Sequence, residues 1–133
     1  MYHGIIIDRE FVDKNFPESL KQFAKKQDGS WGIYGIEVED LQLEKVINEI
    51  QKNMKTDQAW YAHFYNDKQL IVVFKDKVFR IEPHVSSWKP IIEYGKKLNI
   101  PKEQLDFWPN RFQDEAHYFS KDDFVEFTRN MIK

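Results

Sequence analysis

"AWYAHFYNDKQLIVVFKDKVFRIEP", residues 59–83, decides the fold. Three runs rich in aromatic and β-branched residues are split by two polar pairs, Asp67-Lys68 and Asp76-Lys77. The runs are too short for helices and are bounded by turn residues, so they predict a three-stranded antiparallel meander. With a two-residue loop at each pair, Tyr65 falls opposite Leu70, His63 opposite Val72 and Tyr61 opposite Phe74. The second hairpin then sets Phe74 opposite Phe79 and Val72 opposite Ile81. These residues share one apolar face, which makes His63 a core histidine whose burial should lower its pKa. A loop one residue longer would instead bring Tyr61, His63 and Tyr65 beside Arg80 and Glu82. That face would hold a titratable base, two hydroxyls and an ion pair, as a small enzyme or ligand-binding domain requires.

Outward from the meander the chain reads as alternating elements. "GIIID", Gly4 to Asp8, is a short buried strand. Asn15, Pro17 and Glu18 have the form of a helix start, followed by Leu20, Phe23 and Ala24 at helical spacing. "WGIYGIEVED", residues 31–40, alternates as a strand with Tyr34, Ile36 and Val38 on one side. Its Gly32 and Gly35 signal a bulge or a close backbone approach. Leu43, Val46, Ile47, Ile50 and Met54 form the clearest helical stripe. Beyond the meander, Ser86 or Ser87 opens a helix with Trp88, Ile91, Ile92, Gly95 and Leu98 on one side. Pro101 opens a short turn, and Ser120 to Asp123 is an acidic capping box for a last helix carrying Phe124, Phe127 and Met131. The order β-α-β-α-β-β-β-α-α predicts an α+β fold: a mixed sheet of about five strands, helices mainly on one face, one domain over residues 1–133.

Composition narrows the function classes. Hydrophobic residues make up 41% and aromatics 16% of the chain, so it can pack a core built largely from rings. Twenty basic against 22 acidic residues give a net charge of −2 without a basic stripe, which argues against a nucleic-acid partner. The absence of cysteine removes disulfides, thiolate metal sites and cysteine nucleophiles. No signal-peptide order or membrane-length apolar run is present, so a cytoplasmic location is expected.

Asp8, Glu37 and Glu39 close the first two strands, and parallel neighbours would bring them together as oxygen ligands for Mg²⁺. No recognised ligand spacing supports such a site, and no cofactor is indicated. His3, His63, His84 and His117 are scattered. Ser86 and Ser87 near His84 lack a glycine elbow and suit helix capping better than a hydrolase triad. The segment "LDFWPNRFQDEAHYF", residues 105–119, is different. Its Phe107, Trp108, Arg111 and Phe112 are the residue types that dominate protein–protein contacts, placed on either side of Pro109. The expected function is therefore a small soluble interaction module, an inhibitor, adaptor or immunity-like factor, binding a protein partner or itself through this segment. A small enzyme using the His63 face or the strand-end acids is the alternative.

Overall fold

A computed structural model of the chain describes residues 1–125. It is an α+β fold with elements β1 (Tyr2–Ile7), β2 (Gln22–Asp28), β3 (Trp31–Val38), α1 (Leu43–Asn53), β4 (Tyr61–Tyr65), β5 (Leu70–Phe74), β6 (Val78–Ile81), α2 (Lys89–Lys97) and the single turn α3 (Glu115–Tyr118). The six strands form one open sheet in the order β2-β3-β1-β4-β5-β6. Every pairing is antiparallel, which corrects the expectation of a mixed five-stranded sheet.

The extra strand is β2, where helical spacing suggested a helix. A 3-10 turn does form over Phe16–Ser19, with Pro17 in its first turn, but it stops at Leu20. The chain then pairs with β3 through a two-residue loop at Gly29-Ser30, with Gly29 at φ 58°. Glycine there supplies the left-handed conformation that primed hairpin turns demand. A three-residue apolar stripe cannot outweigh a ready hairpin.

The meander follows its expected pattern with one shift. Tyr61, His63 and Tyr65 lie opposite Phe74, Val72 and Leu70. The first loop needs no glycine, because Asn66 Oδ1 accepts from the Lys68 and Gln69 amides at 3.2 and 2.9 Å while Asp67 takes φ 73°. In the second hairpin the loop is Lys75-Asp76, so Val72 faces Phe79 and Leu70 faces Ile81. This two-residue slip leaves every side chain on its expected face.

Both faces of the sheet are covered, a further correction. On one, Leu43, Ile47 and Ile50 of α1, with Met54 just beyond it, pack on Ile6, Tyr34, Ile36, Ala62, Phe64, Ile71 and Val73. On the other lie two clusters. Trp88 and Ile91 of the α2 region, with Leu105 and Phe107, cover Leu70, Val72 and Phe74. Phe119 and Phe124 cover Ile5, Phe23, Ile33 and Tyr65. Residues 105–119 form a strap across this second face. Ser120 N–H donates to Asp123 Oδ2 at 2.8 Å, as the capping box predicts. The turn nevertheless ends at Phe124, which is extended and bridges Ala24. The expected helix does not include Phe124, and its other marker residues, Phe127 and Met131, lie outside the described residues.

Candidate functional site

The strap is fastened to the sheet by polar contacts, and its residues divide sharply in exposure. Phe107 is fully buried against Tyr61 and Trp88. Phe112 is half-buried, edge-on to the His3 ring at 4.9 Å. Trp108, between them, is 38% exposed, the largest exposed aromatic among the described residues. Arg111 is exposed, its guanidinium bonded to Asp114 at 2.8 and 3.2 Å. Asp67 Oδ1 accepts from the Phe112 amide at 2.9 Å, which ties the strap to the first meander turn.

His63 is 4% exposed and Nε2 lies 2.7 Å from the Pro109 carbonyl. A carbonyl only accepts, so the neutral ring must carry its proton on Nε2 and leave Nδ1 as an acceptor. Burial holds its pKa down at about 4, with the Pro109 bond partly opposing. Tyr61 donates to the Gln104 carbonyl, with the Asp106 carbonyl 3.3 Å away, and burial pushes its phenol up. Tyr65 donates to Glu115 Oε2 at 2.5 Å, and the same oxygen lies 2.6 Å from His3 Nδ1. Burial first, then the Glu115 charge, raises the Tyr65 pKa.

The catalytic grouping considered from sequence does not assemble. Arg80 is opposite Ile71 on the α1 face and pairs with Glu44 at 2.6 Å. Glu82 contacts His84 at 2.7 Å on open surface. Ser86 Oγ lies 2.6 Å from the other nitrogen of His84. This chain of contacts is local to one exposed turn.

The strand-end acids are also separated. Because β1 and β3 run antiparallel, Asp8 sits near the start of β3, where Oδ1 accepts from the Gly32 amide at 3.0 Å. Glu37 lies at the other end, bonded to Lys21 at 2.6 Å and His3 at 3.2 Å, and Glu39 is exposed beyond it. Among the described residues no group of three or more acids and histidines is placed to hold a metal ion.

What the geometry does supply is a cleft of about 370 Å³ between the two clusters on the strap face. Its floor is Ile5, Ile7, Ile33, Tyr61 and His63. Trp31 and Trp60 close one end, their rings 5.7 Å apart. The strap contributes Trp108 and Asp106. Glu103 and Gln104 precede it, Tyr118 lies near its C-terminal end, and Asp28 of β2 completes the lining. Burial, with Asp28 and Asp106 adding their charge, pushes the Tyr118 phenol up to about 12. The volume falls in the range of small-ligand sites, and the mixture of rings with a few polar groups is typical of them.

Sequence reasoning found His63, Tyr61 and Trp108 of this cleft but missed its far wall. Asp28 and Trp31 become wall residues only if β2 is a strand, and that depended on reading Asp28-Gly29-Ser30 as a hairpin. No helix of the described residues is long and apolar enough to cross a membrane. No family model, curated protein or solved structure matches this chain at a significant level.

Proposed function

We propose that this protein is an interaction module of the cytoplasm that binds a protein partner through the strap, with Trp108 and Arg111 as its leading contacts. One observation carries the reading: the outward position of Trp108 on a strap whose neighbouring rings, Phe107 and Phe112, are drawn inward. An exposed tryptophan beside a packed, hydrogen-bonded backbone is a rigid anchor, and rigid aromatic anchors near an arginine dominate interface energies. The near-neutral charge and the engagement of His63 by a backbone carbonyl support binding over catalysis.

The test compares the wild type with Trp108→Ala/Arg111→Ala, each used to recover partners from the native host and each examined for self-association. The double variant should lose specific partners or self-association; both side chains are exposed, and removing the guanidinium that the buried Asp114 carboxylate bonds should lower the thermal midpoint by no more than a few degrees. A variant that melts several degrees lower and still associates normally makes the segment structural and ends the proposal.

A further inference from the structure

We infer that the cleft accepts a basic side chain of the protein partner, an arginine above all, between its aromatic walls and its carboxylates. The inference rests on the proposed contact surface, since Trp108 belongs to both strap and cleft, and it names the chemistry that surface would recognise.

Charge is the first argument. Asp28, Glu103 and Asp106 line the cleft, and among the described residues no lysine or arginine does. His63 on the floor is neutral near pH 7, so it offsets none of this negative field. An anionic ligand such as a nucleotide phosphate would meet three carboxylates without a compensating cation. A purely apolar ligand would strip water from those carboxylates and return nothing. A cation gains from all three.

The rings are the second argument. Trp31, Trp60, Tyr61, Trp108 and Tyr118 present π surfaces around the same space, and indole is the best side-chain partner for a cation. Tyr118 already works in this way from its outer side, where the Lys26 ammonium sits 3.6 Å from the ring centroid and donates to the Tyr118 carbonyl at 2.8 Å. That lysine is held outside the cleft lining.

Hydrogen-bond polarity selects arginine. A guanidinium is flat, stacks on aromatic faces and sends five N–H groups outward in its own plane. The cleft offers acceptors to match: three carboxylates and the Nδ1 of His63, which has no hydrogen-bond partner among the described residues. The three-carbon stem suits the isoleucine floor.

The experiment follows the four indole N–H signals of the ¹⁵N-labelled full-length protein. The probes are N-acetyl-arginine N-methylamide and its citrulline counterpart, which keeps the shape and removes the charge. The arginine probe should shift the signals of Trp31, Trp60 and Trp108 saturably while Trp88, behind the strap against Phe107, moves little. The citrulline probe should bind at least about tenfold more weakly. The variant Asp28→Asn/Glu103→Gln/Asp106→Asn changes only exposed acids and should lower arginine affinity at least about tenfold with the rest of the spectrum preserved. Equal binding of citrulline, unaltered binding by the variant, or no saturable shift would each overturn the inference. The two proposals fail separately. Loss of a partner in Trp108→Ala/Arg111→Ala with no response to the arginine probe leaves the contact surface standing and removes this ligand.

Discussion

At the scale of single residues, two buried ionisable groups pull stability in opposite directions with pH. His63 titrates at about 4 in the folded chain because burial disfavours its charged form. The unfolded chain, with a value near the ordinary 6.5, then binds the proton more readily, so this term weakens folding as pH falls from about 6.5 to 4. The full effect is about 3 kcal/mol at 1.36 kcal/mol per pH unit. Glu10 does the reverse. It is fully buried, Oε1 accepts from the Ile7 amide at 2.7 Å, Oε2 has no partner among the described residues, and burial raises its pKa well above 4.5. The folded chain holds that proton more tightly, so its stabilising share is complete below 4.5 and is lost as pH rises through the folded pKa. Two measurements separate these terms. An NMR titration of the His63 ring should give a midpoint near 4, and a midpoint at 6.5 or above would show the ring open to water. Glu10→Gln keeps an acceptor for Ile7 and cannot ionise, so it should stabilise the protein by about 1–3 kcal/mol at pH 7. That gain should shrink toward pH 4, and a gain independent of pH would remove ionisation as its cause.

At the scale of elements, legibility followed the length of the pattern. The stripe from Leu43 to Met54 carries five apolar positions, and α1 buries Leu43, Ile47 and Ile50 as expected. The meander was legible because the alternation of its faces survives a two-residue slip in register. Residues 16–28 were misread because Leu20, Phe23 and Ala24 fit a helix and a strand alike, and partner pairing decides such cases. The glycines of β3 carried the corrective signal. Gly35 lies opposite Ala24 where β2 is bulged, and a Cβ built on it would come 2.5 Å from the Phe23 ring. Phe23 in turn stacks on His3 at 4.0 Å. Gly35→Ala should therefore destabilise by about 1–3 kcal/mol through overpacking, although alanine suits an open strand at least as well as glycine does. Denaturant unfolding measures it, and a neutral or stabilising result would show that Phe23 can move aside.

At the scale of the whole molecule, the strap closes a sheet whose central strand is its N-terminal one. The sequence marked residues 105–119 as unusual but could not say how they were held, because the anchors lie far apart along the chain. Glu115 is the principal one. Its Oε2 takes His3 of β1 and Tyr65 of β4, so one carboxylate joins the strap to two adjacent strands. Neither partner was legible as part of a network, since His3 looked isolated and Tyr65 looked like one of several rings. The consequence is a strong asymmetry between single and double changes. Glu115→Ala leaves two buried donors without an acceptor and should cost about 2–5 kcal/mol. Tyr65→Phe alone should also cost stability, by removing one of the bonds that Glu115 accepts. With both changes made, the Tyr65 donor and its acceptor vanish together, so the combined loss should fall short of the sum by more than about 0.5 kcal/mol. Hydrogen exchange locates the effect: in Glu115→Ala the strap's Phe112 amide, bonded to Asp67 of the first meander turn, should exchange faster while the β4–β5 ladder stays protected. Strict additivity, with unchanged exchange at Phe112, would mean that packing of Phe107 and Phe119 alone holds the strap in place.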